Sequence, residues 1–309
     1  MPATTLVPNP MKYDLRPFFL CTAMAIFAFV SPTPARAENF PALNTPAVAG
    51  HLPGKLIWAD LFTTNPEAAS AFYCGLLGWT AMPLEHKGKG YTIFSNDGTP
   101  VAGLSPRSVA GANHPSRWIG YIAVTDISAT LSAVEKAGGV VRAPSRKFAD
   151  RGRQAIIADR DGLPVGLLES SSGDPMDGDP KAGAWNWFEL YVRSPQDTAA
   201  FYRDALGYAV APETKPDTKS DFVLSSSMQG RGGIAPMPDG DSVKPAWLGV
   251  IRVQNLDATL AKVAGLGGEV LVAPHTVEFG SRFAIILDPT GGTIGLVEYI
   301  DGANPANTP

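Results

Sequence analysis

The sequence predicts an α+β fold of two tandem domains, each made of two β-α-β-β-β modules. Three observations predict it. "WADLFTTNPEAASAFY" from Trp58 returns as "WFELYVRSPQDTAAFY" from Trp187, and Phe72-Tyr73, Gly78, Trp118, Gly138-Gly139 and Glu169 all recur 129 residues later. Self-similarity at a fixed offset identifies a duplicated unit. Within each half, an alternating apolar strand meets Asn65, Asp126, Ser194 or Asn255, residue types that cap helices, and an amphipathic helix follows. Finally, "YTIFSNDGTPVAGL" and "QAIIADRDGLPVGLLE" read as strand pairs joined through an Asp-Gly turn.

The elements follow in order. Lys12 and Arg16 precede the apolar run "FFLCTAMAIFAFV" and then "SPTPARA", so residues 1–37 form a secretory leader cleaved after Ala37. The apolar run is shorter than the ~20 residues that span a bilayer. Either Met1 or Met11 serves as the start. Residues 38–52 are Pro- and Ala-rich without a period and read as an extended spacer. The first domain covers 53–172 and the second 184–301. Between them lies a linker, 173–183, within the Gly/Pro/Asp/Ser-rich "SSSGDPMDGDPKAGA", which has nothing to bury; 302–309 form a tail. The leader places the mature protein in the periplasm or outside the cell, with no membrane segment once it is removed.

Composition narrows the partners. Of 309 residues, 45% are hydrophobic and 17% charged, which describes a foldable globular chain. A net charge of -4, with no basic stripe, gives nucleic acid no electrostatic footprint. Leader cleavage removes Cys21 and leaves Cys74, a packed thiol with no His or Lys beside it to activate it. Nothing in the sequence sets the oligomeric state.

The first-helix motifs "NPEAASAFY…LGW" and "SPQDTAAFY…LGY", with the closing "DxxGxxxGL" hairpins, resemble the vicinal oxygen chelate superfamily of glyoxalases, bleomycin-resistance proteins and extradiol dioxygenases. The resemblance spans nearly all of the mature chain. It implies that the paired modules of each glyoxalase-like domain curl into one cupped, mixed sheet enclosing a small-molecule cleft. It also implies a metal ion held by His, Gln or Glu, seven residues before each helix cap and four after each closing turn glycine. Here those positions hold Trp58, Ile119, Trp187 and Leu248, then Ala102, Gly166 and Gly295, with the hairpin at Gly232-Gly233 unassigned in register. None offers a side-chain donor, and the four histidines (His51, His86, His114, His275) share no ligand spacing, so neither metal nor cofactor is expected.

Strand alternation then selects the candidates. Trp58 shares a face with Asp60, and Trp187 with Glu189; Tyr121 and Arg252 have the same parity on neighbouring strands. Trp58, Trp187, Tyr121 and Arg252 become candidate ligand-binding residues, with Arg252 facing Glu189 across the cup. Glu189 and Asp60 become candidate acids or bases. The purely structural alternative has the tryptophans filling the vacated space, with Arg153 and Arg282 as partners for the buried carboxylates. Glu169 and Glu298 fall on the opposite face and read as strand-end charges. The leading expectation is an exported, metal-independent protein binding a small, aromatic or amphipathic molecule. Alternatives are a metal-free lyase, isomerase or hydrolase using Asp60 or Glu189, and an interaction module acting through its sheet edges.

Overall fold

The structure is a computed structural model that describes residues 40–86, 89–107, 116–178, 180–212, 222–237, 244–277 and 280–299. The expected leader and tail, and His114, lie outside these residues. The first domain runs β1 (Leu56–Thr63), α1 (Pro66–Leu77), β2 (Thr80–His86), β3 (Lys89–Asn96) and β4 (Thr99–Pro106). Its second module is β5 (Arg117–Ala123), α2 (Ile127–Lys136), β6 (Val140–Phe148), β7 (Gly152–Ala158) and β8 (Pro164–Ser170). The second domain repeats this with β9 (Trp185–Val192), α3 (Pro195–Leu206), β10 (Ala209–Pro212), β11 (Phe222–Ser226) and β12 (Gln229–Pro236). It ends with β13 (Ala246–Arg252), α4 (Leu256–Val263), β14 (Glu269–Thr276), β15 (Arg282–Leu287) and β16 (Thr293–Glu298).

Each domain is one eight-stranded sheet, ordered β2-β3-β4-β1-β5-β8-β7-β6 in the first and identically in the second. The two modules meet at the antiparallel β1/β5 seam, where Trp58 opposes Tyr121 and Asp60 opposes Ile119. Parallel pairings flank the seam, with Asp60 beside Gly103 on β4 and Tyr121 beside Gly166 on β8. The first strands of both modules therefore lie side by side at the centre of the cup.

Local chemistry fixes the helix ends. Asn65 caps α1 through its side chain, Pro66 opens the helix and Gly78 closes it at φ 72°, where a side chain would be strained. Asp126 accepts from the Ser128 and Ala129 N–H groups at 2.9 Å. Glu169 and Glu298, expected on the face away from the clefts, reach the helices there. Glu169 accepts from the first N–H of α2 (Ile127, 2.9 Å) and Glu298 from that of α4 (Leu256, 3.1 Å), each a carboxylate at a helix N-terminus.

The helix-covered faces of both sheets share their cores. One core joins Leu61, Phe72 and Leu76 of the first domain to Leu256, Ile286 and Leu296 of the second; the other joins Ile127, Val134 and Leu167 to Phe188, Phe201 and Leu224. The helices lie between the sheets, and the opposite faces turn outward. The repeated Gly pairs serve this junction. Gly138 and Gly267 end their helices at φ 85° and 83°, while a Cβ on Gly139 or Gly268 would sit 2.7 Å from Phe201 or 2.5 Å from Phe72 of the other domain.

A buried polar pair is matched across the same junction with unequal results. Tyr73 donates to Asp288 at 2.8 Å and accepts from the Trp118 indole at 2.8 Å. At the corresponding positions, the Tyr202 hydroxyl, one oxygen of Asp159 and the Trp247 indole nitrogen are buried without partners. Burial pushes Asp159 up to about 6, opposed by the Leu163 N–H and aided by the charge of Asp161.

The expected spacer and linker are both bonded into the fold. Leu43 and Val48 donate to Ser172, and Leu52 to Asp174 at 2.6 Å, with Ser172 and Asp174 themselves buried. Asp177 takes a two-pronged bond from Arg231 (2.6 and 2.8 Å) and an ion pair from Lys55 (3.0 Å), fastening the linker to both domains. A segment rich in turn-forming residues can still bury its polar atoms when those atoms bond one another.

Candidate functional site

The outward face of the first sheet carries Trp58, Asp60, Tyr91, Tyr121 and Arg151, all buried. The Trp58 indole donates to Asp60 Oδ1 at 2.7 Å, and the Tyr91 hydroxyl donates to the same oxygen. Desolvation raises the Asp60 carboxyl above the usual range, opposed by the donors of Tyr91, Trp58 and Tyr121 and by the charge of Arg151. The Arg151 guanidinium lies 3.7 Å above the Trp58 ring. Residues from the expected spacer close this face. Phe40 packs edge-on against Tyr91 (4.5 Å) and Phe148 (5.0 Å), Leu43 is buried beside them, and the Pro41 carbonyl accepts from Arg151 Nε at 2.7 Å.

In the second domain the equivalent residues are less deeply buried. Trp187 and Glu189 are partly exposed, with the indole donating to Glu189 Oε2 at 3.0 Å. Tyr191 lies two residues further along the strand, and burial together with the Glu189 charge pushes its hydroxyl up to about 12. Gly230 leaves room beneath the Trp187 ring, since a Cβ there would meet the indole at 3.2 Å.

Arg252 lies elsewhere than expected. Leu248 is the β13 residue opposite Glu189, and Arg252 is four positions beyond it, about 13 Å along a strand. Its Nη1 donates to the Pro180 carbonyl at 2.6 Å, and its guanidinium sits 5.5 Å from the Tyr299 ring, which also contacts Asn186. Arg153 and Arg282 likewise do not serve the cleft carboxylates. Arg153 bonds Ser145, and Arg282 bonds Asp257 at the surface. The first-domain guanidinium comes instead from Arg151, two residues earlier, whose repeat counterpart is Gly280. Tyr91 was also missed. Matching the two halves selects what they share, and both residues fall where the repeat breaks.

The family's metal positions can now be placed. Asp60 lies beside Gly103, not Ala102, because the β3/β4 pairing shifts between Phe94 and Ser95 and the bulge turns Ala102 into the helix-side core. Glu189 lies beside Gly233. The four closing-strand positions are thus Gly103, Gly166, Gly233 and Gly295. Asp60, beside the first set, is already ringed by hydrogen-bond donors. Among the described residues, no three His, Cys, Asp or Glu side chains gather in a way that could hold a metal ion. These residues do not fit a family-type metal ion. Cys74 is half-buried, and burial pushes its thiol up, away from activation.

The duplicated modules and the paired cupped faces define a class. The sequence model of the Glyoxalase/Bleomycin resistance protein/Dioxygenase superfamily matches residues 55–167 and 184–296, and the chain belongs to that superfamily. It is 31% identical over 246 residues to the "Putative glyoxylase CFP32" of Mycobacterium tuberculosis (strain CDC 1551 / Oshkosh), covering 78% of this chain and 93% of that protein. It is also 31% identical over 265 residues to the "Anthracycline biosynthesis protein DnrV" of Streptomyces peucetius, covering 81% and 95%. In fold it is similar to the Mn(II)-bound glyoxalase from Novosphingobium aromaticivorans, with TM-score 0.57 at 17% identity over 80% and 82% of the two chains. The homoprotocatechuate 2,3-dioxygenase from Arthrobacter globiformis gives 0.58 at 14% identity over 85% and 86%.

Proposed function

We propose that the protein is exported and binds a small aromatic or amphipathic molecule on the cupped face of its second domain, without a metal ion. The observation that carries this reading is the contrast between equivalent residues: Trp58 and Asp60 are buried, whereas Trp187 and Glu189 are partly exposed. A concave face with an aromatic wall and a few fixed polar groups is the usual form of a small-molecule site. Trp187 supplies the wall, and Glu189, held by the indole N–H, orients a donor on the ligand. The name of the Streptomyces relative, an anthracycline biosynthesis protein, supports an aromatic ligand class.

Titrating aromatic acids and lactones against tryptophan fluorescence identifies a ligand. With that ligand, Glu189→Gln is expected to weaken binding by ~10- to 150-fold, the loss of one charged hydrogen bond, and Trp187→Ala by at least as much. Wild-type affinity in both variants would overturn the site. Turnover of the ligand, lost in Glu189→Gln, would favour the catalytic alternative. Export predicts that sequencing the N-terminus of protein from the periplasmic or culture fraction begins at Glu38. An intact leader on cytoplasmic protein would refute it.

A further inference from the structure

The Arg151 guanidinium has more hydrogen-bonding capacity than the fold uses. Its five N–H groups form a rigid fork, yet only Nε has an acceptor, the Pro41 carbonyl, while Nη1 and Nη2 are buried without partners. Neither nitrogen bonds Asp60, whose Oδ1 accepts from Trp58 and Tyr91. Buried donors are almost always paired, so an unused pair on a fully buried cation points to a missing acceptor. Its surroundings describe that acceptor. The Trp58 ring lies under the fork, and the Phe40 ring packs on Tyr91 and Phe148 beside it. Residues 40–41 thus place one aromatic ring and one carbonyl oxygen in the cleft. An aromatic carboxylate would present the same ring together with two oxygens, the geometry that an arginine fork binds through both nitrogens.

We propose that the first-domain cleft is a second ligand site, specific for a compact aromatic carboxylate, and that Phe40 and Pro41 hold it shut by occupying its place. The strap can open at this end without coming undone. The bonds to Ser172, Gly173 and Asp174 begin at Leu43 and hold the chain from there onward. Displacing Phe40 and Pro41 uncovers Arg151 and Tyr91.

Calorimetric titration of the full chain with 2-naphthoate tests this, with 2-naphthol as the control lacking a carboxylate. All proteins carry Trp187→Ala, so that the second-domain face does not contribute and the outcome is independent of that reading. Phe40→Ala is expected to bind 2-naphthoate at least tenfold more tightly than its Phe40 parent, with one equivalent bound. Adding Arg151→Lys, which keeps the charge but removes the fork, should reverse that gain, and 2-naphthol should bind neither protein. Arg151→Gln, checked for folding by its melting curve, should do the same. Equal affinity with and without Phe40, or tight binding that survives the loss of the fork, would overturn the proposal.

Discussion

Trp58→Ala is expected to destabilise the protein by about 3–5 kcal/mol, the range for deleting a large aromatic side chain from a core. Trp187→Ala, at the matching position, is expected to lower stability by only about 1 kcal/mol. Trp58 has no exposed surface, packs beneath Arg151 and donates to Asp60, so its removal opens a cavity and strips a buried carboxylate of a donor. Trp187 is partly exposed and its partner Glu189 remains in contact with water. Urea denaturation of both variants checks the difference. Equal losses would mean that the two faces are packed alike, and the distinction drawn between them would fail.

Asp159→Asn is expected to stabilise the protein near pH 7.5 and to leave it unchanged near pH 4. The carboxyl titrates near 6 in the fold against 3.8 ordinarily, because burial disfavours its charge. The fold therefore favours the protonated form. The associated stability is present in full below the unfolded value and is lost as pH rises through 6, a difference of about 3 kcal/mol. Asparagine keeps the Oδ1 acceptor for the Asp161 and Leu163 N–H groups and replaces the unpartnered oxygen with a donor beside Tyr202. The matching change, Asp288→Asn, is expected to destabilise at neutral pH, since Tyr73 already donates to the oxygen that an amide would replace. Thermal melts of the three proteins at both pH values separate these cases. A gain at pH 7.5 in neither or in both would refute the asymmetry.

Much of the fold was legible because its signals are local. Asn65, Asp126 and Asn255 cap helices through bonds to N–H groups two or three residues away, and the glycine that ends α1 needs only its own backbone angle. The duplicated aromatics and Gly pairs were legible because both copies meet the same packing requirement at the domain junction. The shared face of Trp58, Asp60 and Tyr121 followed from alternation along β1 and β5. What failed was non-local. One bulge moved the metal-position count from Gly103 to Ala102. Arg252 was placed by parity, which gives the face but not the distance along the strand. Arg151 and Phe40 reach the first cleft from a hairpin end and from an apparently structureless segment, and no repeat marks either of them. The polar linker was misread because composition reports the number of polar groups, not whether they satisfy each other.

The glycines opposite the first strands bear on how this lineage can change. A Cβ on Gly103 would fall 1.7 Å from the Tyr91 hydroxyl and 2.3 Å from Asp60, and one on Gly166 would fall 2.3 Å from Tyr121. A glutamate at either site requires the ring occupying its space to shift or shrink. Shrinking Tyr91 or Tyr121 first leaves a void, which carries its own penalty before any chelating group exists. A chelating cleft at these positions is therefore reached only through a less stable intermediate.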